Sequence, residues 1–169
     1  MLHIGVDEAG RGPVIGPLVV GCVCIPEGDI QMLVEAGVKD SKDLSKKKRE
    51  TIRTWFFENC QTRGWKYSVI SCPPSRIDIA VANKGLNILE TQLFAEAINK
   101  LALVGNDNSF MITNDACDVD EQRFTRRISA LIDQWPWPNS EMVSFHKADE
   151  NYPIVGMASI LAKQHRDHC

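Results

Sequence analysis

The run from Val14 to Ile25 is rich in β-branched residues, and a Gly/Pro-rich turn joins it to the short apolar stretch Leu2 to Val6. Two such runs this close in sequence read as neighbouring strands, so a hairpin opens the fold and later elements must add to its edges. Trp65 to Ser71 alternates Trp65, Tyr67 and Val69 against Lys66, Ser68 and Ile70, which predicts a third strand. Ser45 precedes Lys46 to Cys60, where Ile52, Phe56 and either Trp55 or Phe57 supply an apolar stripe, so a capped amphipathic helix is expected there.

Cys72-Pro73-Pro74 breaks the pattern, and Asn83 to Leu103 then carries Leu86, Leu89, Leu93, Ala97, Ile98 and Leu101 at the spacing of a core-facing helix, with Asn83 as its cap. Phe110 to Ile112 makes a short strand, Glu121 to Gln134 a helix, Met142 to Phe145 a last strand, and Tyr152 to His168 a last helix with Pro153 in its first turn. The order β-β-α-β-α-β-α-β-α describes an α/β domain: a five-stranded mixed sheet with an antiparallel hairpin start and parallel later strands, flanked by helices.

With 169 residues, 44% of them hydrophobic, a single domain over residues 1–169 can bury a core without staples. No run of eighteen apolar residues exists, and Met1 to Val6 has no basic flank or small-residue cleavage site, so a cytoplasmic monomer with no membrane partner is expected. The six cysteines form no CxxC pair; Cys22 and Cys24, two apart in an apolar run, read as reduced residues on one strand face. The net charge of −3 gives no whole-chain basic signature of a nucleic-acid binder. Locally the sign reverses, with Lys39, Lys42, Lys46, Lys47, Lys48, Arg49 and Arg53 close together. That cluster can contact phosphates or form an ordinary solvated helix face.

Asp7 and Glu8 follow the first predicted strand, Asp115 the fourth and Asp149 the fifth, so each acid falls at a carboxyl-terminal strand end, where open α/β sheets bind ligands. If those strands are adjacent, mutual repulsion among the acids calls for a divalent cation, and an oxygen-only donor set points to Mg²⁺ or Mn²⁺. Taken singly, each acid is explained as well by a turn or a helix cap. Between the first two strands, Gly10 and Gly12 flank Arg11: the glycines permit close backbone approach to a ligand, and the arginine supplies a planar charged fork.

At this point the chain resembles the archaeal-like type 2 ribonucleases H. Asp7 to Val20, DEAGRGPVIGPLVV, is similar to the segment that opens that family, and Lys39-Asp40-Ser41-Lys42-Asp43-Leu44 resembles its DSK-x-L element. Asp115-Ala116-Cys117-Asp118 looks like the third block; His146 to Asp149 with Tyr152 to Lys163 looks like the fourth. The resemblance implies a ribonuclease H-like fold in which Asp7, Glu8, Asp115 and Asp149 are the metal-binding catalytic acids, working by two-metal hydrolysis with Mg²⁺ or Mn²⁺. It prefers Asp115 over Asp118, which is expected to cap the next helix. Gly10, Arg11 and Gly12 would match the turn that reads the ribose 2′-hydroxyl, and Lys42 a phosphate contact.

The implied substrates are RNA/DNA hybrids and DNA duplexes with an embedded ribonucleotide, cut to leave 5′-phosphate and 3′-hydroxyl ends. Lys163 and Arg166 are expected to face solvent. The family's usual further helices, with a tyrosine that stacks at the RNA/DNA junction, are expected to be absent here, where the only tyrosines are Tyr67 and Tyr152. Three rivals stay open: a DNA-cutting nuclease of the same fold, a weakly active or inactive hybrid-binding module, and a structural α/β domain whose acids are caps.

Overall fold

Alternate residues of the second strand enter two different cores, and this divides the molecule into layers. In the computed structural model, which describes residues 1–10, 16–38 and 41–168, Val20, Cys22 and Cys24 join one apolar cluster while Val23 and Ile25 join another. Every residue of this strand but its last is buried. A strand covered on both faces needs helices on both sides of its sheet.

The strands are β1 (Leu2–Ala9), β2 (Leu18–Pro26), β3 (Lys66–Cys72), β4 (Phe110–Asp115) and β5 (Glu141–Phe145), in the spatial order β3-β2-β1-β4-β5. β1 pairs antiparallel with β2, from Leu2 opposite Pro26 to Ala9 opposite Val19, and β2 pairs antiparallel with β3. β1 pairs parallel with β4, and β4 parallel with β5. The mixed sheet expected from the sequence is therefore present, with β1 at its centre.

The helices are α1 (Ile30–Glu35), α2 (Lys46–Arg63), α3 (Pro74–Ala82), α4 (Leu86–Asn99), α5 (Glu121–Ser129), α6 (Ala148–Asn151) and α7 (Pro153–Asp167). Leu89, Leu93, Phe94 and Ile98 of α4 and Phe124 and Ile128 of α5 pack with Ile4, Val6 and Ile112 on one face of the sheet. Ile52 and Phe56 of α2 and Val155, Met157, Ala158 and Leu161 of α7 form the core of the other. Each such fully buried large side chain contributes roughly 1.5–3 kcal/mol of transfer free energy.

Two glycines let α7 lie against the sheet. A Cβ on Gly5 would strike the Ile154 carbonyl, and one on Gly21 the Ala158 carbonyl, so the helix backbone sits where side chains would otherwise project. Ser45 caps α2 as expected, its Oγ accepting from the Lys48 amide at 3.1 Å, and Gly64 ends that helix at φ 70°.

The elements differ from the sequence expectation in several places: the short helices α1 and α6 were not foreseen, and α4 ends at Asn99 rather than Leu103. β1 runs on to Ala9 rather than stopping at Val6. α3 begins at Pro74 in the segment read as a break, because proline suits the first turn of a helix. Asn83 closes α3 instead of opening the long helix, its amide bonding to the Ile79 carbonyl; α4 starts at Leu86 after Gly85. α5 ends at Ser129, short of Gln134.

Candidate metal centre

Because β1 continues past Val6, Asp7 and Glu8 lie on the strand and point to opposite faces. Ile4 and Val6 belong to the α4-side core, and Gly5 faces α7. Asp7 accordingly lies on the α7 side and Glu8 on the α4 side. Asp115 ends β4, whose register places it beside the end of β1. Asp149 sits in α6, directly after β5, and its amide approaches Asp115 Oδ2 at 3.4 Å.

Asp7, Asp115 and Asp149 each offer a carboxylate oxygen, and the three oxygens lie within 4.8 Å of one another. Asp7 is only 4% exposed. Burial, followed by the charges of Glu8, Asp115 and Asp149, holds its carboxyl well above the usual range. Asp115 is pushed up to about 8, again chiefly by burial and then by Asp149 and Glu8. Carboxyls crowded in this way resist ionisation together, and a hard divalent cation relieves that strain.

Glu8 stands apart from this trio, although its charge reaches both Asp7 and Asp115. Its Oε2 accepts from the Cys117 thiol at 3.2 Å, and a second group of possible ligands comprises Glu8, Glu90 and Cys117. Burial first, then Glu8 and Glu90, pushes the Cys117 thiol up, so it stays protonated and donates. Sequence reasoning missed Glu90 and Cys117 as neighbours of the centre. A signal existed for Glu90: an acid on the inward stripe of α4, buried between Leu86 and Leu93.

Asp118 takes no part in the trio of clustered carboxylates. It accepts from Arg123 Nε at 2.7 Å and pairs with Arg127 at 3.7 Å, and the hydrogen bond from Arg123 lowers it to about 2. Nor does Asp118 cap α5: that position is Asp120, whose Oδ1 accepts from the Arg123 amide at 3.0 Å.

Gly10 has φ 96°, a conformation that glycine adopts without strain. Arg11 and Gly12 lie outside the described residues. Lys42 is exposed in the single turn Ser41–Asp43 ahead of α2. Two cations of the basic cluster, both partly buried, contact other groups of the protein. Arg49 donates to the Leu44 carbonyl at 2.9 Å, to Gln164 Oε1 at 3.2 Å and to Asp167 Oδ2 at 3.2 Å, and Arg53 lies over the Phe57 ring at 5.1 Å. Arg166, expected in solvent, instead donates Nε to the Pro17 carbonyl at 2.9 Å. Cys22, Cys24, Cys60, Cys72 and Cys117 are free thiols. No helix among the described residues is long and apolar enough to cross a membrane.

A central strand carrying two consecutive acids, joined by a third from its parallel neighbour, defines a ribonuclease H-like protein. The ribonuclease H2 of Pyrococcus horikoshii OT3 superposes on the chain with a TM-score of 0.83 and 38% identity, covering 99% of this chain and 73% of that one. The chain belongs to the ribonuclease HII family, whose sequence model matches residues 4–169. Ribonuclease HII of Methanococcus maripaludis strain C6 is 42% identical over 98% of the chain, which spans 65% of that relative's length. The ribonuclease HII of Archaeoglobus fulgidus, solved in a complex with PCNA, superposes with a TM-score of 0.76 at 34% identity, covering 98% of this chain and 72% of that one.

Proposed function

We propose that this chain is a metal-dependent endonuclease that cuts the RNA strand of RNA/DNA hybrids and cuts at single ribonucleotides embedded in DNA, leaving 5′-phosphate and 3′-hydroxyl ends. The observation that carries the proposal is the gathering of Asp7, Asp115 and Asp149 at one rim of the sheet, with one oxygen of each within 4.8 Å of the others.

The donor set fits Mg²⁺ or Mn²⁺: it consists of carboxylate oxygens alone, and the acids are driven towards neutrality when no positive charge is near. Bound there, such ions would polarise the scissile phosphate and ease deprotonation of the attacking water. Asp7, Asp115 and Asp149 would hold them. Glu8 would add its carboxylate from the α4 side, oriented by the Cys117 thiol. Gly10, Arg11 and Gly12 would bring backbone and guanidinium to the ribose 2′-hydroxyl, the group that separates RNA from DNA. Lys42 would take a phosphate, a contact that positions the duplex without reading its sequence.

The test is incubation with a duplex carrying one ribonucleotide, with Mn²⁺, with Mg²⁺ or with chelator, beside an all-DNA duplex. Metal-dependent cutting at the ribonucleotide alone is the expected result. Cutting of the all-DNA duplex would instead indicate a DNA nuclease of the same fold, and binding without cutting a hybrid-binding module.

A further inference from the structure

We propose that Phe145 and Tyr152 form an aromatic contact surface beside the carboxylate cluster, against which the sugar of a nucleotide flanking the cut packs. The inference rests on the reading of this rim as the place where a nucleic-acid strand is cut.

The sheet itself sets the placement. Val6 pairs with Asn114 across β1 and β4, and Asp115 pairs with Phe145 across β4 and β5. Asp7, Asp115 and Phe145 therefore follow one another across three adjacent strands at one level. They also share a face. Asn114 Nδ2 donates to Ser144 Oγ at 3.3 Å, and Thr125 of α5 donates to the same hydroxyl at 2.6 Å, so Asn114 and Ser144 look towards α5. Their successors Asp115 and Phe145 look the other way, towards α6 and α7. One strand spacing, about 4.8 Å, separates the aromatic position from the central acid of the row.

Beyond Phe145 the chain reverses at Lys147, whose backbone is left-handed at φ 55°, passes through α6 with Asp149 and brings Tyr152 back onto Phe145. The two rings are stacked, with planes 9° apart and centroids at 5.6 Å. Neither ring joins the apolar clusters that the described residues form on the two faces of the sheet. Phe145 stays 37% and Tyr152 39% exposed, and β5 is an edge strand. A stacked pair that belongs to no core and leaves ring surface in water offers a flat apolar platform. Within a duplex the bases cover one another, so a strand turns mainly its phosphates and sugars to a protein rim. A strand that runs along the row with one phosphate at the carboxylates lays the adjoining sugar over Phe145. Lys147, exposed in the same turn, adds a cation suited to the next phosphate.

The experiment follows steady-state cutting of a one-ribonucleotide duplex with Mn²⁺, binding of that duplex by fluorescence anisotropy with chelator, and Mn²⁺ binding by calorimetry. Phe145→Leu and Tyr152→Leu keep apolar bulk without a flat ring, and Phe145→Tyr keeps the ring. Each leucine variant should raise KM and the duplex Kd about fivefold, the lower end of what aromatic stacking on nucleic acid contributes. Their kcat and Mn²⁺ affinity should be unchanged, and Phe145→Tyr should match the wild type. A duplex with abasic nucleotides on both sides of the ribonucleotide keeps its sugars and should show the same difference; its disappearance there moves the contact to a base and overturns the assignment. Wild-type KM and Kd in the leucine variants overturn the inference, as does an equal loss in Phe145→Tyr. Weakened Mn²⁺ binding overturns it too, since that is what a mere prop for Asp149 would produce. If the wild-type chain binds the duplex without cutting it, the proposed activity fails while the Kd comparison still decides on the rings. If it does not bind at all, both fall.

Discussion

Gly21 of β2 and Ala158 of α7 meet backbone to backbone: a Cβ at position 21 would collide with the Ala158 carbonyl oxygen and lie 3.2 Å from the Ala162 nitrogen. Neither atom belongs to a side chain that can swing aside. Gly21→Ala should therefore force α7 off the sheet, at a cost of about 3 kcal/mol, the upper end of ordinary overpacking. For a domain of this size that lowers Tm by roughly 6–12 °C. Gly28→Ala is the control, since a Cβ there meets nothing within 4 Å; thermal melts of the two variants should differ clearly.

Asp7→Asn removes the most buried of the three clustered carboxylates while keeping its shape. If the centre supplies several kcal/mol of transition-state stabilisation through bound metal, cutting should fall by roughly a thousandfold at 1.36 kcal/mol per tenfold. The metal-free variant should melt no lower than the wild type, because one member of a repelling group has gone. Cleavage rates with Mn²⁺ and circular dichroism melts with chelator check the two halves separately, and undiminished cutting would remove Asp7 from the centre.

The raised acids also fix the pH dependence of the metal-free fold. Asp115 moves from 3.8 to about 8 and Asp7 moves in the same direction. Between the unfolded and folded values the native chain holds more protons than the unfolded one, so these groups make stability fall as pH rises from about 4 to 8. Divalent cation should reverse the trend, and its effect on Tm should grow with pH over that window. At a hundred times its Kd it adds about 2.7 kcal/mol, or roughly 5–10 °C in Tm. Thermal shift at several pH values, with chelator or with Mn²⁺, measures this; a Tm independent of pH with chelator present would contradict it.

Asp118 behaves in the opposite sense. Its folded value is lowered to about 2 by the hydrogen bond from Arg123. The stabilisation is therefore complete above the unfolded value and is lost as pH falls through about 2. Arg123→Ala should lower the Tm at neutral pH, because Asp118 loses the charged hydrogen bond that holds it ionised. The Tm gap from wild type should then narrow progressively in melts taken from pH 5 down to pH 2.

The five strands of a mixed sheet and the three clustered aspartates were legible because they follow from apolar runs and from what comes directly after them. Glu8 was legible as a residue but not in direction: reading β1 as ending at Val6 hid the alternation that turns Glu8 towards α4. α3 escaped notice because none of its residues is buried, so no stripe betrays it, and its leading Pro73-Pro74 looks like a stop. Asp118 and Asp120 are two residues apart in one turn, and only the folded backbone shows which of them meets the Arg123 amide. Arg166 is the plainest case. A charged residue near a helix end defaults to solvent, and the hollow it fills is made by two glycines more than a hundred residues away.

The gathering of Asp7, Asp115 and Asp149 at one rim also bears on how the protein comes into being. During synthesis, Asp7 emerges with the first strand, whereas its partners are contributed by β4 and by the short helix behind β5. A half-made chain therefore lacks the full set of three clustered carboxylates, which is complete only once the element behind β5 has been added.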